Sequence, residues 1–370
     1  MKTVMPNNYF WSKKKVLLTG HTGFKGSWLS LWLQALGAEV TGYALQPAGE
    51  PNLFSLCGLD RTIRSVTADI RDRETLLQTI KDTQPEVIIH MAAQPLVRYS
   101  YLNPVATYEV NVLGTANLFD AVRTALVEGA SIKAVLNVTT DKCYENQEWT
   151  WGYREIDRLG GYDPYSSSKA CAELVTSSFR NSYFHVNDYA SHGLSIATAR
   201  AGNVIGGGDW SQDRIIPDCM RALLSGSKLT IRNPSATRPW QHVLEPLRGY
   251  LLLAQKMVEC GAEFGEAWNF GPNEDGIKSV KWLVKAIGKL WGDHHFYELA
   301  EGDSLHEAVN LSLDSAKARR FLGWQPVWGV EQALEKTVEW FQAYYKQADM
   351  KAVCMKELEA FTLAAACEDN

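Results

Sequence analysis

Apolar and polar positions follow two rhythms along residues 12–200, and the rhythms take turns. Short apolar runs at Val16-Leu17-Leu18, Val40 to Ala44, Ser65 to Thr67, Val87 to Met91, Ala134 to Val138 and Ser195 to Ala199 read as strands. Between them apolar residues recur at helical spacing: Trp28, Leu29, Trp32, Leu33 and Leu36, then over 74–83, 104–127 and 165–184. Strands that are apolar throughout and alternate with helices predict a doubly wound α/β domain, its parallel sheet buried on both faces.

Beyond Arg200 the rhythm loosens. Gly206 to Gly208 read as an open loop, 217–224 as a helix, 228–232 and 267–270 as strands, and 278–291 and 329–346 as helices. This predicts a smaller substrate lobe over 201–345, with segments near 240–270 returning to the first domain. A helical tail, 346–370, follows without an evident role. No repeat or low-complexity linker interrupts the chain.

Gly20, Gly23 and Gly26 recur every third residue between the first strand and first helix. Glycine there lets the backbone turn tightly and approach a ligand, while the helix N-terminus offers free N–H groups to a pyrophosphate. A glycine-rich loop without ligand has the same spacing. Lys25 lies in the turn, but no Ser or Thr follows it as a Walker A loop requires, so a dinucleotide site of Rossmann type fits better than a triphosphatase. The second strand ends Tyr43-Ala44-Leu45-Gln46, without the acid that usually meets an adenine ribose or an arginine in its place. Asp69-Ile70 follows the third strand where a short side chain could meet the adenine edge. Ala92-Ala93-Gln94 follows the fourth, where small residues suit either a cofactor against the backbone or tight loop packing.

Composition narrows the classes. The 370 residues are 46% hydrophobic and carry a formal net charge of -5, which gives no electrostatic case for a nucleic acid partner. Seven cysteines without a Cys-x-x-Cys pair fit reduced cytoplasmic thiols. No 18-residue apolar span suggests a membrane helix. His294-His295 lacks metal-site spacing, so no metal is expected. Several of the 13 tryptophans, including Trp149, Trp151, Trp210 and Trp240, fall on predicted loops, where they could line a pocket or pack the loops down.

Candidate chemistry lies at the fifth strand and the helix after it. Tyr165 and Lys169 are four residues apart on one helix face, and an ammonium near a phenol favours phenolate. The strand end reads Thr139-Thr140-Asp141-Lys142. Thr140 could hydrogen-bond a substrate alcohol or cap a turn; Asp141 could serve as an acid or pair with Lys142.

Thr19-Gly20-His21-Thr22-Gly23-Phe24-Lys25-Gly26, Thr140-Asp141-Lys142 and Tyr165-Ser-Ser-Ser-Lys169 together resemble the extended short-chain dehydrogenase/reductase superfamily, in its nucleotide-sugar 4,6-dehydratase branch. The likeness runs from about residue 12 to 345. It includes Asn111, Arg200, Asn203, Arg238-Pro-Trp240, Asn269-Phe-Gly271 and His306-Glu307. It implies bound NAD, held by residues 20–26, Asp69, Ile70, Ala92, Ala93, Asn111, Tyr165 and Lys169. It also implies a nucleotide sugar, with CDP-glucose expected, met by Gln94, Asn203, Arg214, Arg232, Arg238 and His306. In the implied reaction Thr140, Tyr165 and Lys169 assist oxidation at C4 of the sugar. Asp141 protonates the departing C6 hydroxyl, leaving a 4-keto-6-deoxy sugar.

Relatives of this branch carry a glutamate as C5 base where Lys142 stands. A lysine must be neutral to take a proton, so Lys142 as the base requires desolvation or a neighbouring positive charge. Otherwise it orients Asp141 or binds the sugar. The alternatives are a nucleotide-sugar 4-epimerase, a dehydratase of GDP-mannose or dTDP-glucose, and a non-catalytic NAD-binding regulator. A homodimer through helices 104–127 and 165–184, free to pair further, is the expectation for assembly.

Overall fold

The computed structural model describes residues 3–231, 233–299 and 311–367. Seven strands form one parallel sheet: β1 (Lys15–Thr19), β2 (Glu39–Ala44), β3 (Arg64–Thr67), β4 (Val87–His90), β5 (Ala134–Val138), β6 (Ser195–Ala201) and β7 (Ala267–Phe270). Their order is β7-β6-β5-β4-β1-β2-β3. All six sheet pairings are parallel.

The strands are apolar throughout because successive side chains enter different cores. Val16 and Leu18 of β1, Val87 and Ile89 of β4, and Ala134, Leu136 and Val138 of β5 join one core. Leu17, Ile88 and Val135 point to the other. Fully burying such a side chain stabilises the fold by about 1.5–3 kcal/mol, and a one-residue register slip would exchange every one of them.

The first core is covered by α1 (Phe24–Ala35), and the second by α2 (Arg73–Thr83) and α3 (Gly114–Val127). Next comes α4 (Pro164–Ser182), started by Pro164 and by the Asp163 side chain, which accepts from Ser166 N. The run expected as one helix over 104–127 is broken into Pro104–Tyr108, a π-turn at Glu109–Leu113, and α3.

Later segments complete both the sheet and its cover. Helix α5 (Leu244–Cys260) packs on β5 and β6, and β7 adds the last strand. Short strand pairs join Val204–Ile205 to Gln241–His242, Thr237–Pro239 to Ile277–Ser279, and Leu229–Ile231 to Tyr297–Leu299.

The C-terminal tail closes the first core. Helices α6 (Val330–Tyr345) and α7 (Met350–Cys367) pack together. From α7, Phe361 meets Trp32 and Trp328 edge-on, and Glu357 lies 3.0 Å from His242.

Candidate functional site

Strand order reverses between β1 and β4, so a crevice opens at their carboxyl ends, where open parallel sheets bind ligands. Gly20 leaves β1 at φ +76°, and a Cβ there would stand 2.7 Å from Ala92 N. At Gly26 a Cβ would lie 2.1 Å from the Gly20 carbonyl oxygen, so α1 can rest on the turn only with glycine. A Cβ at Gly23 meets the Gly20 oxygen at 3.4 Å and nothing closer. Gly23 caps α1 without a side-chain hydrogen bond, which leaves the first N–H groups directed at that space. The cradle fits a pyrophosphate.

The crevice is braced from below. Thr19 Oγ1 lies 2.7 Å from His90 Nδ1 and accepts from the N–H groups of Met91 and Ala92 at 3.0 Å each. Burial, then Lys169, lowers His90 to about 3, so it is neutral. Asn111 projects from the π-turn; its amide group accepts from Gln94 N at 2.8 Å and donates to Gln94 O and Ser168 Oγ. A π-turn inside a helix is a common device for aiming a functional side chain.

Strand β5 ends in the reacting groups. Asp141 begins a short 3₁₀ turn whose cap is Thr140, so Thr140 does cap a turn. Its Oγ1 also donates to Asp141 Oδ1 at 2.9 Å. Tyr165, on the first turn of α4, stands close enough to Thr140 to feel its hydroxyl. Asp141 is 2% exposed, Thr140 7% and Tyr165 9%. Burial raises Asp141 against the opposing pull of Lys142, Thr140 and Arg238. Burial also pushes Tyr165 up to about 12, opposed by the neighbouring Thr140 hydroxyl and the Arg214 charge.

Lys169, one turn along α4 from Tyr165, reaches the end of β5. Its ammonium donates to Val138 O at 3.0 Å, and burial lowers it to about 8 while Glu173 pulls it back up. Glu173, one turn further along α4, accepts from Thr139, from Thr198 at 2.7 Å and from Arg200 at 2.8 Å. Burial would raise this carboxyl, but Arg200 and the two threonines overcome it and hold it low. Lys169 and Glu173 therefore clamp the end of β5 from one helix face.

Lys25 leaves the cradle for the reacting groups. It donates to Tyr250 of α5 at 2.9 Å, and burial, with Arg214 and Lys169, lowers it to about 7. Tyr250 was not singled out from sequence because it sits in an apolar helical pattern that reads as packing.

The remaining expected residues divide. His21 is buried against Gly42, with Nε2 2.7 Å from Ser65 Oγ, and burial lowers it to about 4. Phe24 touches the space over Gly206, and Thr22 donates to Leu45 O. Asp69 is paired with Arg71 at 2.7 Å, and Ile70 packs under Gly114. Gln94 turns its side chain to Leu96 and Thr107. Arg238 is buried near Asp141, and Arg214 lies 3.3 Å from Asp209. Asn203 accepts from Gln241 N through its carbonyl. Arg232 and His306 lie outside the described residues. Of the loop tryptophans, Trp149 stacks on Tyr153, which stacks on Tyr144, while Trp210 meets Phe341 and Tyr344.

The family described as GDP-mannose 4,6 dehydratase matches residues 17–337. A CDP-glucose 4,6-dehydratase of Salmonella typhimurium is 49% identical over 360 residues, covering 97% of this chain and 99% of its own. A dTDP-glucose 4,6-dehydratase of Xanthomonas campestris pv. campestris is 27% identical, covering 88% and 92%. Among solved structures, a dTDP-glucose 4,6-dehydratase of Streptomyces venezuelae with NAD and TYD bound superposes with TM-score 0.77 at 25% identity, covering 91% of this chain and 99% of that one.

Proposed function

The chain belongs to the GDP-mannose 4,6 dehydratase family, and from that premise we propose that it converts CDP-glucose into CDP-4-dehydro-6-deoxy-glucose and water with bound NAD. The observation that carries this reading is Asp141: a buried carboxyl beside Tyr165, at the carboxyl end of the sheet that bears the dinucleotide cradle. Burial raises Asp141, so it tends to hold a proton, as an acid for a departing hydroxyl must. A 4-epimerase has no use for such an acid.

The cradle of residues 20–26 would hold the NAD pyrophosphate, with Asn111, Tyr165 and Lys169 toward its other end. The chemistry NAD supplies when bound is hydride storage, from C4 of the hexose and back to C6. Tyr165 takes the proton of the 4-hydroxyl at its phenolic oxygen. The resulting ketone acidifies C5, and Lys142 takes that proton and later returns it. Asp141 protonates the 6-hydroxyl as it leaves. Arg214, Arg238 and Asn203 are assigned to the nucleotide sugar, where guanidinium groups suit a pyrophosphate.

We divide the chain at about residue 200 into a nucleotide domain and a sugar lobe, with α5 and β7 returned to the first. A homodimer is proposed through the segments flanking the π-turn and α4, where Leu102, Val105, Leu113 and Leu174 are exposed. Light scattering at twice 41.4 kDa would support it. Cys57, Cys143, Cys171, Cys219, Cys260 and Cys354 are free thiols, as suits a cytoplasmic enzyme.

Incubation with CDP-glucose, dTDP-glucose, GDP-mannose and UDP-glucose, followed by product analysis, tests the reading. A 4-keto-6-deoxy product from CDP-glucose is expected. Product from dTDP-glucose alone would refute the base assignment, and a 4-epimer without water loss would refute dehydration. The Lys142→Met enzyme should lose exchange of the C5 hydrogen with solvent, and near-normal exchange would remove Lys142 as the base.

A further inference from the structure

The acid of the proposed reaction, on which this inference rests, has one oxygen held and the other bare. Thr140 Oγ1 donates to Asp141 Oδ1 at 2.9 Å. Asp141 Oδ2 is buried and has no hydrogen-bond partner among the described residues. A buried acceptor left unpaired is costly in a folded protein, and a substrate hydroxyl arriving at Oδ2 removes that cost.

Three segments meet around that oxygen. Asp141 follows β5, Gly202 is the first residue after β6, and Pro239 ends a strand of the sugar lobe. In the sheet Val138 stands opposite Ala199, and Thr139 N donates to Ala199 O at 2.9 Å, which brings the end of β6 beside the acid. A Cβ on Gly202 would lie 2.9 Å from Asp141 Oδ2 and 3.0 Å from Pro239 Cγ. Gly202 is outside the left-handed region, so its backbone does not itself require glycine. What excludes a side chain there is the space beside the carboxyl. We infer that Gly202 is a positioning residue for dehydration: by carrying no side chain, it lets Asp141 Oδ2 stand against the C6 hydroxyl.

In the step it serves, the proton on Asp141 Oδ2 passes to the C6 hydroxyl oxygen. The C6–O bond breaks with its electron pair going to that oxygen, and water leaves. The electrons of the C5–H bond that Lys142 breaks form the C5–C6 double bond. Oxidation at C4 comes earlier and does not use Asp141, so a methyl at position 202 disturbs the later step and spares the first. Carbon and oxygen in ordinary contact sit roughly 3.3–3.6 Å apart, so Oδ2 must retreat by about half an ångström. With Oδ1 tethered to Thr140, the carboxyl retreats by pivoting, which turns Oδ2 off its line. Misplacing a reacting atom on that scale costs about 10–100-fold.

The test compares wild type, Gly202→Ala, Asp141→Asn and the double variant, each loaded with NAD, on CDP-glucose and on CDP-6-deoxy-6-fluoroglucose. Fluoride leaves carbon as an anion and needs no proton from an acid. In Gly202→Ala, water loss from CDP-glucose should fall by about 10–100-fold. Absorbance of the reduced cofactor should build up meanwhile, because hydride taken from C4 is not returned. Fluoride release from the analogue should stay within about threefold of wild type, since only the acid is displaced. Adding Gly202→Ala to Asp141→Asn should cost nothing further, as both changes act on one carboxyl. A measurement on wild type stands even if Gly202→Ala does not fold. Methanol release from CDP-6-O-methylglucose should be at least about tenfold slower than water release from CDP-glucose, the space beside Oδ2 being too narrow for a further carbon. Equal slowing on the hydroxyl and fluoro substrates, unslowed water loss, losses that multiply in the double variant, or methanol released as fast as water would each overturn the proposal. Water loss at the wild-type rate in Asp141→Asn, or a wild type that makes no 4-keto-6-deoxy product from CDP-glucose, would instead defeat the functional reading.

Discussion

Glu173→Gln separates the charge of a buried carboxylate from its shape. Glu173 and Arg200 are 3% and 4% exposed and 2.8 Å apart, and the same carboxylate accepts from Thr139 and Thr198. The glutamine oxygen can still accept, and the guanidinium keeps the Tyr144 hydroxyl and the Glu155 carbonyl at 2.7 and 3.1 Å, but its counter-charge is gone. Removing one member of such a buried pair costs about 3–5 kcal/mol, because the other charge stays out of water without its counterion. With an unfolding entropy of roughly 2.1 cal/mol/K per residue, that predicts a fall in Tm of about 4–6 °C for a chain of 370 residues. Kinetics should move too. Lys169 lies at about 8, and Glu173 is the foremost group raising it, so the ammonium should be lost at lower pH in the variant. The alkaline limb of the kcat profile would then shift toward neutral pH. Thermal melting followed by fluorescence checks the first effect, and product formation over a pH series checks the second. A Tm within about 1 °C of wild type, together with an unmoved alkaline limb, would refute the argument that this pair holds the end of β5 and tunes Lys169.

Two further outcomes follow from the site. Gly26→Ala places a methyl 2.1 Å from the Gly20 oxygen, so α1 must part from the turn and NAD affinity should fall at least about 100-fold, or roughly 2.7 kcal/mol. Calorimetric titration with NAD measures this, and an affinity within about threefold of wild type would contradict it. Asp141→Asn should trade activity for stability. Because the folded pKa of Asp141 is raised, ionising it penalises folding; that penalty is absent below the unfolded pKa and grows as pH rises through the folded one. The variant should melt above wild type at neutral pH and level with it in strong acid, while product formation drops by about 10²–10⁴. Melting over a pH series shows whether the margin grows in that direction.

The sheet was legible because its strands carry apolar residues at every position, a pattern that a sheet covered on both faces requires. Gly20 and Gly26 were legible because each serves a local backbone demand, one a left-handed turn and the other a close helix approach. Tyr165 and Lys169 share a helix face by spacing alone, but the spacing did not say that Lys169 turns to Val138. The helix expected over 104–127 concealed the π-turn that aims Asn111, since one extra residue in a turn scarcely alters hydrophobic periodicity.

What the sequence by itself determined was therefore local or periodic: the alternation of strands and helices, the phosphate turn, and the residue types at the end of β5. Only the tertiary structure decided that Lys25 meets Tyr250, 225 residues away, and that Glu173 gathers Thr139, Thr198 and Arg200. It also decided that α7 closes the core over Trp32 and Trp328. The physical reason is range. Backbone turns and burial periods act over a few residues and leave a mark at fixed spacing, whereas a charge buried beside another depends on which distant segments share the same low-dielectric space.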